Sequence, residues 1–228
     1  RIGTVGCNKI AKKIYKKFGF KTGNLNHYFL INPNIKSFLI IKKAKHYKNK
    51  IHNSKTTNLK ILKKTKNINF FNEDMESLVN IFGKDKIFFQ NRYLKHPIYN
   101  YSIYIIEDNN KMLGFIVTRI CKYKKSKVLR IVDFFGYYEA LNSIGYSFEK
   151  LIIKLNVECI DFYEYGLPKK IMNSSGMNKN DFNNEIIVPN YFEPFIKSNI
   201  KIGWAIKQKK KKFIPIFKGD CDQDRPND

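Results

Sequence analysis

Between residues 101 and 134 three runs rich in β-branched and aromatic residues follow one another: 101–106, 112–120 and 128–134. Asn109-Asn110 and residues 124–126 divide them. Such runs bounded by turn residues read as strands, and connections this short join antiparallel neighbours into a meander. The period then changes. In 140–155 the apolar residues Ile144, Phe148, Leu151, Ile152 and Leu155 recur at helical spacing, and 157–163 is strand-like again. A meander followed by a helix and a further strand predicts an α/β protein (α+β, with a mixed sheet).

The flanks add elements. Asn72-Glu73-Asp74 precedes Met75, Leu78, Val79 and Phe82, a capped helix start that Gly83 can stop, and a second helix over 88–93 ends at His96-Pro97. Beyond the meander a short helix over 168–172 closes at Gly176-Met177, a bend falls at 191–194, and 200–206 reads as a strand. Residues 46–70 are rich in Lys, Asn and Thr with isolated apolar positions, which predicts a linker. Ahead of it, 2–6 and 24–32 read as strands, the second closed by Asn32-Pro33-Asn34, and 35–41 is a further apolar run.

Residues 8–20 form the most specific local pattern. Ala11, Ile14, Tyr15 and Phe18 fall on one helical face, five lysines take the other, and Gly19 stands where a left-handed cap is wanted. The spacing Asn8-x-x-Ala11-x-x-Ile14-Tyr15-x-x-x-Gly19-Phe20 resembles the fourth-helix signature of the GNAT acyl-CoA N-acyltransferases. Residues 71–228 repeat that family's element order. The resemblance implies three segments: a C-terminal remnant of a first GNAT-like domain (1–45), the Lys/Asn-rich linker (46–70) and a second, complete domain (71–228). The earlier part of the first domain would then lie upstream of Arg1.

The activity implied is transfer of an acetyl or other acyl group from acyl-CoA to a primary amine. The acceptor would be a small molecule, an amino sugar of surface-glycan synthesis being one class. Asn8 would lie by the coenzyme arm, and Tyr15 would protonate the departing thiolate. In the second unit the fourth strand would part from the fifth to admit pantetheine, placing Val132, Phe134 and Gly136 at the coenzyme. Here the pattern weakens. The loop after the strand has one glycine, Gly136, followed by Tyr137, Tyr138 and Glu139, and Met172 stands where Tyr15 stands in the first unit. A thioether donates no proton. The remaining acid or base candidates are Glu139, Tyr163, Glu164 and Tyr165. Arg130 and Asp133 could face the cleft or pair with each other.

Composition limits the alternatives. With 43% hydrophobic and 15% aromatic residues the chain can bury a core, and no apolar run is long enough to span a bilayer. Cys7, Cys121, Cys159 and Cys221 are scattered and read as reduced thiols of a cytoplasmic protein, with no metal site. The net charge of +24 suggests nucleic acid, and residues 1–72 hold no acid. Lysine far outnumbers arginine and is spread over every segment, so the charge reads as compositional bias and nucleic-acid binding as the weaker class. The acidic ending, 219–228, resembles that of a GNAT-like group and could fold back toward an amino-sugar substrate. A non-catalytic, GNAT-like scaffold is the alternative to an enzyme.

Overall fold

The computed structural model of the chain describes residues 2–43, 47–49, 60–183, 185–208 and 214–220. The chain opens with β1 (Ile2–Val5), α1 (Lys9–Lys17), β2 (Lys21–Asn24) and β3 (Asn26–Ile31). Next come β4 (Ile61–Thr65) and the short helices α2 (Glu73–Glu76), α3 (Val79–Phe82) and α4 (Lys86–Phe89), the last continuing through a wider turn at Gln90–Leu94. The meander follows as β5 (Tyr101–Asp108), β6 (Lys111–Tyr123) and β7 (Ser126–Gly136). Then come α5 (Gly145–Leu155), β8 (Cys159–Tyr165), α6 (Lys169–Ser174), β9 (Asn178–Lys179), the hairpin β10 (Tyr191–Phe192) and β11 (Phe195–Ile196), β12 (Gly203–Lys207) and β13 (Ile216–Phe217). The expected mixed α/β architecture is present.

Local chemistry explains the breaks. Asn109 and Asn110 both take positive φ (48° and 61°) and close the β5–β6 hairpin, a conformation asparagine tolerates better than most side chains. Gly19 and Gly83 end α1 and α3 in the left-handed region, as their positions predicted. The helix expected over 140–155 is split. Ser143 takes φ +53° and its N–H goes to Ser174 O, so a 3-10 turn at Tyr138–Leu141 is separated from α5.

The large sheet runs β4-β5-β6-β7-β8-β3-β9, with β13 also on β8. Its pairs are antiparallel except β7 with β8, which are parallel and joined through α5. Strand β4 lies inside the stretch expected as a linker and pairs with β5 along its whole length. The helical face carries the main aromatic core, including Phe82, Phe89, Phe115, Phe135, Phe148 and Phe162. On the opposite face Phe29, Ile31, Cys121, Val128 and Cys159 pack beneath Ile40, Ile41 and Val188. The apolar run 35–41 is not a strand. The amides of Leu39, Ile40 and Ile41 all donate to the buried carboxylate of Glu158 (2.7–3.1 Å), which takes the place of a ladder partner.

A second sheet, β1-β12-β2, is antiparallel throughout. Strands β2 and β3 are separated by Leu25 alone yet belong to different sheets, and β12, from near the end of the chain, lies between β1 and β2. Residues 1–45 and 71–228 are therefore interleaved strand by strand. Helix α1 lies on β12 and β2. Its side chains Ala11 and Tyr15 are half-buried, whereas Ile14 and Phe18, expected on the same face, are 51% and 65% exposed. Lys12 Nζ reaches Asn24 on β2 (2.7 Å), while Ile10, Ile14 and Phe18 are turned to solvent.

Candidate functional site

Strands β7 and β8 pair over three positions only: Leu129 with Ile160, Arg130 with Asp161 and Ile131 with Phe162. Beyond these β7 continues to Gly136 and β8 to Tyr165 without further pairing to each other. The two strands part, as a coenzyme notch requires. The notch is filled by the chain itself. Glu164 is paired on one edge with Asn26 of β3 and on the other with Phe217 of β13. Since β3 holds the outer edge, β13 lies on the edge that faces β7. The 3-10 turn Lys218–Asp220 then abuts β7 so closely that a Cβ on Gly219 would stand 2.9 Å from Val132 O and 2.3 Å from the Tyr93 hydroxyl oxygen, which makes glycine obligatory there on contact grounds.

Buried charges hold this plug. Lys84, 3% exposed, places its ammonium 2.6 Å from Asp133 Oδ1 on β7 and 2.7 Å from Asp220 Oδ1 in the plug. Tyr93 donates to Asp133 Oδ2 (2.6 Å), and the other Asp220 oxygen accepts from Phe217 N (2.7 Å). Arg92 donates through Nε and Nη2 to Gly219 O, and Lys218 donates to Asn190 Oδ1. Burial pushes the Asp133 carboxyl up; Lys84 and the Tyr93 hydroxyl oppose that shift. The same surroundings raise the Tyr93 phenol well above its usual range, burial first and Asp133 second. Asp220, from the acidic ending, thus folds back onto a lysine; residues 221–228, including Cys221, lie outside the described residues.

Several donors that would meet an acyl-CoA are also committed. Phe134 N donates to Asp133 Oδ1 (2.9 Å), so that amide is taken from any pantetheine. In the loop after β7, Tyr137 N goes to Leu113 O, Ala140 N to Tyr137 O and Asn142 N to Glu139 O. Ser143 N and Gly145 N, at the start of α5, go to Ser174 O and Ser175 O. What the loop presents instead is carbonyls, and Lys60 donates to two of them, Glu139 O and Asn142 O. Gly136 has a packing role. Its Cα approaches Gly114 across the β6–β7 ladder, and a Cβ on it would lie 2.5 Å from Gly114 Cα. These residues do not fit a coenzyme at the β7–β8 notch.

The other predicted site residues are dispersed. Glu139 is exposed on the 3-10 turn. Tyr163 is buried and stacks on His27 with ring centroids 3.9 Å apart; its hydroxyl has no hydrogen-bond partner among the described residues. Burial, with Asp161 adding to it, raises its phenol well above the usual range. Glu164 is 1% exposed and accepts from Asn26 Nδ2 (2.8 Å) and Leu167 N (3.1 Å), and burial pushes its carboxyl up to about 7. Tyr165, at the strand end, leans on Trp204 (4.6 Å between centroids). Asn8 caps α1, its Oδ1 accepting from Ala11 N (2.8 Å), and Tyr15 packs on Phe20 (5.1 Å). Asn8 and Tyr15 share α1 and its cap, and Tyr163, Glu164 and Tyr165 are consecutive on β8, but the two groups do not meet in one site. Arg130 and Asp133 do not pair. Arg130 makes a bidentate contact with Asp161 (2.7–3.2 Å) and donates to Pro189 O and Asn190 O. His27 Nε2 lies 3.4 Å from the same carboxylate without hydrogen-bond geometry, and Asn180 donates to its Nδ1. Burial holds His27 below its usual range, while Arg130 and His27 hold Asp161 well below the carboxylate range against its own burial.

Lys84, Tyr93 and Asp161 were missed at the sequence level. A signal existed for two acids: Asp133 and Asp161 interrupt otherwise apolar strands, and a buried carboxylate needs a cation or several donors. Among the described residues no group of His, Cys, Asp and Glu is arranged to hold a metal, and no helix is long and apolar enough to cross a membrane. Cys7, Cys121 and Cys159 are buried free thiols.

No family profile matches the sequence, and no curated protein matches it. Solved structures do. A conserved protein of unknown function from Staphylococcus epidermidis is 14% identical with TM-score 0.44, the alignment covering 87% of this chain and 66% of that one. A GCN5-related N-acetyltransferase from Anabaena variabilis is 11% identical with TM-score 0.48, covering 89% and 45%. A probable N-acyltransferase from Enterococcus faecalis is 9% identical with TM-score 0.43, covering 84% and 42%. The chain thus spans between 42% and 66% of the length of these structures.

Proposed function

We propose that this chain is an N-acyltransferase-like protein built from two interleaved GNAT-like units, 1–45 and 71–228, of which the second is a coenzyme-free brace. Any acyl transfer belongs to the strand–helix–strand of the first unit, with Asn8 beside the coenzyme arm and Tyr15 as the proton donor to the leaving thiolate. The donor is acyl-CoA and the acceptor a primary amine, with an amino sugar as the class the resemblance implies. The observation that carries the division of labour is the filled notch: β13 and the Lys218–Asp220 turn occupy the edge of β8 that faces β7. The brace acts through the exchanged strands, since β12 lies between β1 and β2 and fixes the sheet on which α1 rests.

Two measurements test this. Acetyl-CoA stabilises the chain only through the first unit, so any rise in melting temperature at about 1 mM is lost in the double variant Asn8→Ala with Tyr15→Phe. One-to-one micromolar binding that survives Asn8→Ala and Tyr15→Phe would place a coenzyme in the second unit and overturn the reading. In protein that shows acyl transfer, Tyr15→Phe lowers kcat by about 10²-fold or more with KM nearly constant, the size of effect expected for loss of a general acid. An unchanged kcat removes the tyrosine from the chemistry.

A further inference from the structure

A second cleft lies at the other end of the large sheet. The β6–β7 ladder overshoots its neighbour: β5 begins at Tyr101 opposite Arg119, whereas β6 and β7 remain paired out to Tyr123 and Ser126. The overhang borders a cleft of about 560 Å³, within the range of small-molecule sites. Its wall carries Lys64, Arg119, Lys122 and Lys127, and its single acid is Glu193. That acid is already engaged, accepting from Tyr99 Oη at 2.7 Å. Arg119 lies 3.8 Å above the centroid of the same Tyr99 ring, with His96 stacked on Tyr99 at 5.4 Å. The guanidinium is therefore held in place and not swung into solvent.

The lysines are arranged at a cost. Lys122 and Lys127 are directly opposite each other on paired strands, a placement in which like charges repel. Among the described residues neither they nor Lys64 make an ion pair. The nearby Glu158 makes no ion pair with them; its carboxylate is turned to the amides of residues 39–41 and the Ser126 hydroxyl. Repulsion beside a cleft that also offers the exposed apolar side chain of Ile120 is relieved by an anion carrying a ring. We infer that this cleft binds a phosphate-bearing small molecule with one apolar-faced ring, a nucleoside phosphate or a sugar phosphate. The site is separate from the β7–β8 notch and stands whether or not the chain has acyltransferase activity.

The test is calorimetric titration of the whole chain with uridine diphosphate, glucose 1-phosphate and inorganic pyrophosphate at physiological salt. The expected result is one-to-one binding of at least one of the two ring-bearing compounds, about fivefold or more tighter than pyrophosphate, a difference of about 1 kcal/mol. Which of the two binds identifies the ring. Lys122→Glu with Lys127→Glu lowers that affinity about tenfold or more. A charge-matched control, Lys169→Glu with Lys170→Glu on the exposed first turn of α6, changes it less than about twofold, because screening confines the effect to nearby charges. Circular dichroism of both variants reports that they remain folded; these four lysines lie at or near the surface. No binding, several equivalents of ligand per chain, equal losses in both variants, or pyrophosphate binding as tightly as the ring-bearing compounds each overturn the inference.

Discussion

Replacing Lys84 with Met is the sharpest probe of the plug. The ammonium sits between two carboxylates, 2.6 Å from Asp133 and 2.7 Å from Asp220, with the three side chains 2%, 0% and 4% exposed. Removing one member of such a buried ionic group costs about 3–5 kcal/mol, because the remaining charges are left desolvated and facing each other. The methionine retains most of the packing volume, so the loss is electrostatic and not a cavity. For a chain of this size each kcal/mol shifts the melting temperature by roughly 2–4 °C, which gives a fall of about 6–20 °C. The pH dependence carries a defined sign. Burial already raises the Asp133 carboxyl, and in the variant it rises further because the opposing lysine is gone. The fold is then least penalised below the unfolded carboxyl value and loses stability as pH rises toward the folded one. Urea unfolding followed by far-ultraviolet circular dichroism at pH 5 and at pH 7.5 measures both effects. Neutralising all three, with Lys84→Met, Asp133→Asn and Asp220→Asn together, restores more than half of the loss. A penalty below about 1 kcal/mol at pH 7.5, or an equal penalty at both pH values, would refute the claim that charge fastens the plug.

Two further outcomes follow from other buried groups. Glu164 has a folded value near 7 against 4.5 for the ordinary carboxyl, so the unfolded chain loses its proton first as pH rises. Its contribution falls by about 3 kcal/mol between pH 4.5 and 7 and is flat above; Glu164→Gln removes that slope from urea midpoints measured across the range, and a slope unchanged by the substitution would contradict the assignment. At Gly114 a Cβ would stand 2.6 Å from Gly136 Cα and from Phe135 O, at φ +157°, so Gly114→Ala destabilises by about 2 kcal/mol or more; a melting temperature within 2 °C of the parent would show that the two strands can separate there.

Much of the secondary structure could be read from residue order because it is set locally. The meander followed from runs of β-branched and aromatic residues divided by Asn109-Asn110, and both asparagines take the left-handed conformation such a turn needs. The stops at Gly19 and Gly83 were legible for the same reason. Features that depend on distant partners were not. Residues 35–41 have a strand's composition, but the amides of 39–41 go to Glu158, more than 115 residues away in sequence. Residues 61–65 look like linker, yet they become the edge strand of the large sheet because β5 presents a free edge. The exchange of β3 and β12 between sheets leaves no periodic signature, since either strand would have the same pattern in its own sheet. For the candidate site, the parting of β7 and β8 was expected from the family resemblance. Its occupant was not, because the occupying segment is short and follows the lysine run 209–212.

The plug explains why a notch of this kind can be present and yet carry no coenzyme. Two parted strands expose backbone donors and acceptors and the aromatic side chains between them, and something must satisfy both. In this chain β13 supplies the hydrogen bonds, Phe217 fills the space beside Phe82, Phe134 and Phe162, and Lys84 ties the end down through Asp220. A tethered segment competes with any free ligand at an effective concentration in the millimolar range before its ion pair is counted. If release of the plug costs about 4 kcal/mol, the open form is about one molecule in a thousand. A ligand with an intrinsic dissociation constant of about 10 µM would then show one of about 10 mM. The open form would still lack free amides at Phe134 and Gly145. Loosening the plug alone therefore does not create a coenzyme site; the strand amide held by Asp133 and the helix amides held by Ser174 and Ser175 would have to be released as well.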